Sequence, residues 1–219
     1  MEKNIETKEK DYEKYMVKWK EAWVYRSFRT RTIAGIICLL AILIFFPFFF
    51  GLIEARKGGI ELTDPLLYSI PAIDLSVPIF LIIYSTTIFT LYRCWKDPSV
   101  FIIFLWSYII LCLLRIISIT MLPLEPPSDL VQLRDPITYL IYGNESVTKD
   151  LFFSGHTATQ FLMFLCLKKK TDRTILLVST ILIAIMVLLQ HVHYTVDVVV
   201  APVITYLAYW LTKSFLVHT

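Results

Sequence analysis

Long apolar runs alternate with short polar segments along this chain, and the alternation predicts its architecture. The first run, Thr32 to Ile53, carries no charged residue and at ~1.5 Å per helical residue is long enough to cross a bilayer. The further apolar runs fall at about 77–92, 100–122, 151–167, 174–190 and 196–217. We therefore predict an all-α polytopic membrane protein, with six transmembrane helices forming one membrane domain over residues 32–219.

The overall composition is that of a membrane protein, whereas the N-terminal segment is polar. Hydrophobic residues make up 57% of the chain and the mean hydropathy is +0.65, whereas soluble domains are about 45–50% apolar. Residues 1–31 are dense in charge and lack the apolar core of a cleavable signal peptide. Within them Tyr12, Met16, Trp19 and Trp23 recur at helical spacing. This pattern indicates either an amphipathic helix at the membrane surface or a solvated helix packed on cytoplasmic loops.

The distribution of Lys and Arg predicts the orientation. Sixteen of the 21 fall in segments on one side of the predicted bundle, which include residues 1–31 and Lys168 to Arg173, and four fall on the other. Arg115 alone lies within a predicted span. Cytoplasmic loops carry the excess of Lys and Arg, so both termini are predicted to be cytoplasmic. The loops predicted to face outward are 54–76, 123–150 and 190–195.

Two short runs at predicted outer helix ends combine histidine with a carboxylate, and such residues at a membrane boundary indicate a functional site. His193 and Asp197 are four residues apart, which places them on the same face of a helix. A carboxylate there can accept a hydrogen bond from one imidazole nitrogen and fix the tautomer. The other nitrogen is then left to attack an electrophile or to take a proton.

The second run provides Asp150 and, six residues later, His156. Ser154 can cap the helix that begins there, and Gly155 would let a ligand approach the backbone. A helix N-terminus favours an anionic group such as phosphate. Two imidazoles that face one phosphorus suit stepwise phosphoryl transfer, in which one carries the group and the other serves as acid and then as base. We therefore expect the two runs to form one site.

Other interpretations of the same histidines stay open. His156, His191, His193 and Asp197 include metal-ligating residue types, although the two-residue spacing of His191 and His193 suits a strand better than a helix. The residues could also form a proton relay in a transporter or channel. His191 and His218 are interpreted as structural polar contacts. We expect no resident metal or other cofactor, and no nucleic-acid partner.

The run Ser154-Gly155-His156-Thr157, preceded by Asp150, and the run from His193 to Asp197 together resemble the paired motifs of the sphingomyelin synthase family. That family is the transferase branch of the type 2 phosphatidic acid phosphatase superfamily. The resemblance implies six membrane helices with both termini inside. It also implies that His193 is the nucleophile, Asp197 its partner, His156 the second catalytic histidine, and Asp150 the acidic residue that precedes it.

The resemblance implies a phosphotransferase that moves phosphocholine or phosphoethanolamine from a glycerophospholipid to ceramide or another lipid hydroxyl, such as diacylglycerol. The reaction would pass through a phosphohistidine on the exoplasmic side of the membrane. A lipid phosphate phosphatase or phospholipase C-type hydrolase is the alternative enzyme, and a transporter or channel is the alternative without catalysis. Homo-oligomerisation is left open.

The chain also departs from the family's pattern. Thr148-Lys149 stand where the family has Cys-Gly, and Met186-Val187 stand where the hydrolase branch has Ser-Arg. The second difference favours the transferase branch and removes an arginine that would hold phosphate. Arg115 is therefore a candidate for that contact, with a structural ion pair as the alternative. The further residues expected at the substrate are Ser154, Gly155 and Tyr194.

Overall fold

The computed structural model describes residues 18–134 and 147–218. Regular secondary structure in these residues is helical, apart from an isolated bridge between Ile60 and Leu124. The helices are α1 (Trp19–Ala22), α2 (Arg26–Ala55), α3 (Ser76–Lys96), α4 (Pro98–Met121), α5 (Gly155–Cys166), α6 (Lys170–Leu189) and α7 (Thr195–His218), with a 3₁₀ turn at Leu67–Ser69. The predicted helical pattern that includes Tyr12 and Met16 lies outside the described residues.

Among the described residues, five helices are long and apolar enough to cross a membrane. They are α2, α3, α4, α6 and the Thr195–Leu216 part of α7. The first begins at Arg26, six residues before the predicted Thr32. These helices support an integral, multi-pass membrane protein, and they confirm the all-helical prediction. Exposed apolar side chains such as Ile37, Ile44 and Phe48 of α2 form a surface suited to lipid.

The fourth predicted span, 151–167, differs from the prediction. The helix there, α5, has only 12 residues and is ~18 Å long at ~1.5 Å per residue, short of a hydrocarbon core of ~30 Å. The residues before it are held by side chains of α4 instead of by helical hydrogen bonds: Ser118 Oγ donates to Phe152 O at 2.8 Å, and Arg115 donates to Phe153 O. Within a membrane, non-helical backbone is tolerated where it is buried in protein. A sixth full crossing is therefore not confirmed.

The short helix α5 lies at the centre of the bundle. It contacts α3, α4, α6 and α7, and its buried side chains include Ala158, Leu162 and Met163. The longer helices surround it and carry the lipid-facing surface. Its N-terminal end, with His156 in the first turn, is thus enclosed by protein on several sides.

One end of the bundle contains the short connections and the basic residues. Arg93 and Asp172 pair at 2.8 Å, and Lys168 and Asp97 pair at 3.2 Å, across the α3–α4 and α5–α6 turns. The beginning of α2 meets the end of α7 at this same end, where Arg31 Nη1 donates to Leu216 O at 3.2 Å. The two ends of the described chain therefore lie together, as the charge pattern predicts. The side of the membrane that they face stays a prediction.

The longer loops converge at the opposite end of the bundle. Ile60 N donates to Pro123 O at 2.7 Å, and Ile73 N donates to Leu189 O at 2.8 Å. These bonds join the α2–α3 loop to the segment after α4 and to the end of α6. The two histidine-bearing runs meet within this loop layer.

Candidate active site

Asp197 lies in the first turn of α7, and His193 lies in the bend two residues before that helix begins. The side chain of Asp197 is fully buried, and its Oδ2 accepts a hydrogen bond from Tyr194 N at 3.1 Å. His193 Nδ1 lies 3.6 Å from the same oxygen, which is longer than an N–H···O hydrogen bond. Within the described chain, neither His193 Nδ1 nor Asp197 Oδ1 has a hydrogen-bond partner. The two side chains are therefore neighbours, as predicted, but His193 lies before the helix and not on its face. The predicted hydrogen bond needs a small adjustment to close, as is common in sites without substrate.

His156 faces His193 from the first turn of α5. Their ring centroids are 6.3 Å apart, with the ring planes at 61°. Ser154 caps α5, because its Oγ accepts from Thr157 N at 3.4 Å. A cavity of about 60 Å³ is lined by both histidines and by Asp150. The structure thus brings both predicted catalytic histidines to one cavity.

A single backbone hydrogen bond fixes the spacing of the two runs. Ser154 N donates to Asp197 O at 3.1 Å, which joins the residue that caps α5 to the first turn of α7. His156 lies two residues after this bond and His193 four residues before it. This bond therefore holds the backbones that carry the two imidazoles next to each other.

Arg115 lies buried beneath the N-terminus of α5. Its guanidinium donates to the Asp150 carboxylate and to Phe153 O, and it lies 5.5 Å from the centroid of the Phe153 ring. A Cβ atom on Gly155 would come within 2.8 Å of Arg115 Cζ. A larger residue here would therefore displace the guanidinium from its present position, whereas the sequence suggested room for a ligand. Arg115 forms the ion pair considered above as the alternative, and its contact with phosphate stays a prediction.

Tyr194 points away from the cavity and into the loop layer. Its hydroxyl donates to Glu125 O at 3.0 Å and accepts from Leu62 N at 3.2 Å. Burial raises the pKa of Tyr194 to about 12, so the hydroxyl stays protonated and can continue to donate. Tyr194 is absent from the described residues that line the cavity. Its substrate contact stays a prediction, while the contacts it makes hold two loops over the start of α7.

Asp64 is a site residue that sequence reasoning missed. Its Oδ2 accepts from Thr195 N at 2.6 Å and its Oδ1 from Thr195 Oγ1 at 3.1 Å, so it caps α7 from the α2–α3 loop. Burial by itself raises the pKa of Asp64, but hydrogen bonds from Thr195 and Leu67 outweigh it and hold the pKa below the usual 3.8. The cap lies 131 residues away in sequence, so no local pattern could identify it.

Glu54 is a second residue that the sequence did not single out. Its carboxylate accepts from Thr148 N at 2.9 Å, Thr148 Oγ1 at 2.6 Å and Lys149 N at 3.1 Å. The end of α2 thereby holds the segment that leads to Asp150. Thr148-Lys149, which depart from the family's pattern, thus have a defined partner in this chain.

His191 is fully buried and lies outside the cavity lining. Its backbone has a φ of 56°, in the left-handed region, and its Nδ1 lies 3.0 Å from Asp129 Oδ1, although the N–H does not point at that oxygen. This agrees with a structural polar contact. In the described ranges, no three His, Cys, Asp or Glu side chains form a group that could hold a metal ion.

Comparison with known proteins gives one match. Residues 149–214 match the family model described as PAP2 superfamily C-terminal, and this range contains both histidine-bearing runs. No curated protein and no solved structure shows significant similarity to the chain. The match supports the superfamily, whose members are phosphatases or phosphotransferases, and so fits an enzyme that acts on lipids.

Proposed function

We propose that this protein is a membrane phosphotransferase that moves a phospho-alcohol headgroup from a glycerophospholipid to ceramide or another lipid hydroxyl. The observation that supports the proposal most is the placement of His156 and His193 on one cavity, with ring centroids 6.3 Å apart and Asp197 buried beside His193. Two imidazoles around one phosphorus can divide the work of a two-step transfer. The superfamily match covers the segment that carries both.

In the first step His193 acts as the nucleophile. Its Nδ1 is directed to Asp197, so Nε2 attacks the phosphorus of the donor phosphodiester. The bond between phosphorus and the diacylglycerol oxygen breaks, and that oxygen takes a proton from His156. The products of this step are diacylglycerol and a headgroup phosphodiester bonded to His193. The buried Asp197 carboxylate stabilises the positive charge on the imidazole ring.

In the second step the acceptor hydroxyl attacks the same phosphorus. His156, now neutral, takes the hydroxyl proton, and the bond between nitrogen and phosphorus breaks. The headgroup is then attached to the acceptor lipid, and both histidines return to their initial states. The N-terminus of α5 adjoins His156 and contributes partial positive charge, which favours the phosphate.

The proposal is tested by product analysis. Purified protein is incubated with a phospholipid labelled in its headgroup, with and without ceramide, and the lipids are separated. We expect the label on a new lipid only when ceramide or another lipid acceptor is present. Label released into water at the same rate in both samples would identify a hydrolase, and no turnover in either sample would contradict an enzyme of this class.

A further inference from the structure

Asp64 joins the α2–α3 loop to the residue that lies between His193 and Asp197 in the chain. Its Oδ2 accepts from Thr195 N at 2.6 Å, and its Oδ1 accepts from Thr195 Oγ1 at 3.1 Å. Thr195 is the first residue of α7 and stands two positions after His193 and two positions before Asp197. One carboxylate thus holds both the backbone and the side chain of the residue midway between the members of the catalytic pair.

The α2–α3 loop holds Asp64 in place in turn. Leu67 N donates to Asp64 Oδ1 at 3.2 Å, and Tyr68 N donates to Asp64 O at 3.1 Å. Leu67 is fully buried and belongs to one apolar cluster with Tyr194 and Leu151. This cluster packs the loop against the residues that lead into α5 and α7. Asp64 itself is only 8% exposed, so it is a fixed acceptor and not a mobile surface charge.

The contact between His193 and Asp197 is sensitive to the position of Thr195. His193 Nδ1 lies 3.6 Å from Asp197 Oδ2, and the same oxygen accepts from Tyr194 N at 3.1 Å. The bond from Tyr194 N closes the first turn of α7 onto itself and does not attach it to another segment. A shift of Thr195 would therefore move His193 relative to the carboxylate. An imidazole that leaves its carboxylate loses the contact that selects the proton on Nδ1.

We infer that Asp64 is a positioning residue for the nucleophile, because by holding Thr195 it keeps His193 beside Asp197 with the ring proton on Nδ1. This inference rests on the proposed function, in which Nε2 of His193 attacks phosphorus and must carry a lone pair. Asp64 acts through Thr195 and is not among the described residues that line the cavity. Misplacement of a reacting group by ~1 Å can cost ~10²-fold in rate, so loss of Asp64 should slow the attack by about tenfold or more.

A purely structural cap is the alternative, and it predicts a different result. Asp64 would then stabilise α7, as carboxylates at helix N-termini do, without any effect on His193 in molecules that remain folded. Asp97 provides the matched control at the opposite end of the bundle. Its Oδ1 accepts from Ser99 N at 2.9 Å and from Val100 N at 3.3 Å, so it caps α4. Asp97→Ala therefore removes a capping carboxylate that does not contact the catalytic pair.

The test is the tautomer of His193, observed by nitrogen NMR on protein with isotope-labelled histidine. The shifts of the two ring nitrogens show which one carries the proton when the imidazole is neutral, and the signals of His193 are those that His193→Ala lacks. The wild type should carry the proton on Nδ1. Asp64→Ala should move part of the population to the tautomer with the proton on Nε2, whereas Asp97→Ala should keep the wild-type signals.

Two results of this measurement overturn the inference. One is a folded Asp64→Ala protein with the wild-type tautomer, and the other is a wild type that carries the proton on Nε2. An equal change in Asp64→Ala and Asp97→Ala would also overturn it, because loss of any cap would then act on His193. The measurement needs no turnover, so it tests the role of Asp64 even if the proposed function is wrong.

Turnover provides the second readout, with rates normalised to folded protein. Asp64→Ala should lower kcat by about tenfold or more and leave KM nearly unchanged, since the positioning of the nucleophile changes and the donor's contacts stay. Asp97→Ala should keep both values. Equal kcat in the two variants overturns the inference and leaves the phosphotransferase proposal intact. A wild type without turnover refutes the proposed function, and the tautomer then decides the inference.

Two further variants keep the inference testable if Asp64→Ala does not fold. Thr195→Val keeps the shape of the side chain and the backbone donor but removes the hydroxyl that donates to Asp64 Oδ1. It should change the tautomer of His193 in the same direction and to a smaller extent. If Asp64→Ala does fold, Asp64→Asn should restore part of the wild-type signal, because the amide oxygen still accepts from Thr195 N. Wild-type signals in Thr195→Val, or no restoration in Asp64→Asn, overturn the inference.

Discussion

Replacement of Arg115 separates a structural role from a role in phosphate binding. The guanidinium bonds to Asp150 and to Phe153 O beneath the N-terminus of α5. Arg115→Ala would leave the Asp150 carboxylate without its cation and the Phe153 carbonyl without its donor. We therefore expect the segment that leads into α5, and with it His156, to lose its fixed position.

The magnitude follows from the burial of the pair. Removal of one partner from a buried ion pair costs about 3–5 kcal/mol. The side chain of Arg115 is 10% exposed and that of Asp150 is 29% exposed, so water partly solvates the remaining carboxylate and the lower value applies. A loss of about 3 kcal/mol lowers the melting temperature of a chain of this size by about 6–12 °C.

The assay compares thermal unfolding with turnover in the same detergent preparation. A double-mutant cycle with Gly155→Ala adds a geometric control, because the added Cβ would lie 2.8 Å from Arg115 Cζ. Gly155→Ala should destabilise the wild type and cost much less in the Arg115→Ala background, where the space is free. Additive effects of the two changes would contradict this packing.

The structural role is refuted if Arg115→Ala melts at the wild-type temperature while turnover falls sharply. That result would assign the guanidinium to the substrate phosphate. Parallel loss of stability and turnover is the result that the ion pair predicts. Arg115→Lys should restore little of either, since an ammonium cannot reproduce the two directed bonds of the guanidinium fork.

Further predictions concern the α7 cap, metal independence and sidedness. Asp64→Asn should cost about 1 kcal/mol of stability as a weakened N-cap. Because the folded-state pKa of Asp64 lies below 3.8, its contribution is present above pH 3.8 and is lost as the pH falls through the folded-state value; wild type and variant should therefore converge in acid unfolding curves. Turnover should survive exhaustive chelation with EDTA, and a loss that zinc restores would favour a metal site instead. Cysteines introduced by Lys57→Cys and Lys170→Cys should label from opposite sides of the membrane, and labelling of position 170 from outside intact cells would reverse the predicted orientation.

The sequence predicts the helices well, because a lipid-facing helix needs an apolar side chain at nearly every position. The run from Thr32 to Ile53 lies wholly within α2. The prediction is less accurate for α5. An apolar run can be a lipid-exposed span or a segment buried in protein, and hydropathy does not distinguish these cases. Before α5 the run is buried, and side chains of α4 bond to its backbone in place of helical hydrogen bonds.

In the candidate site too, the sequence predicts local features but not the contacts made between distant segments. His193 and Asp197 are only four residues apart, so their proximity is encoded locally even though His193 precedes α7. The charge pattern places His156 at the same end of the bundle. Asp64 and Glu54 act across 131 and 94 residues, and no periodic signal marks such contacts. The direction of Tyr194 likewise depends on loops that only the folded chain brings together.

His156 and His193 have different proposed roles, so variants of each serve as controls when the covalent intermediate is trapped. His156→Ala removes acid–base assistance, which is worth about 10²–10⁴-fold, but it leaves the nucleophile. This variant should therefore form the covalent intermediate slowly. Asp197→Asn removes the carboxylate beside His193 Nδ1 and should be nearly as damaging as loss of His193 itself.

The most direct test of the account is rapid-quench trapping of the covalent intermediate. Protein in excess is mixed with headgroup-labelled phospholipid without an acceptor, quenched in base, and digested for mass spectrometry. The account predicts an acid-labile, base-stable phosphodiester adduct on His193 in the wild type, and none in His193→Ala. An adduct that maps to His156 and survives His193→Ala would contradict it, as would complete single turnover without any adduct.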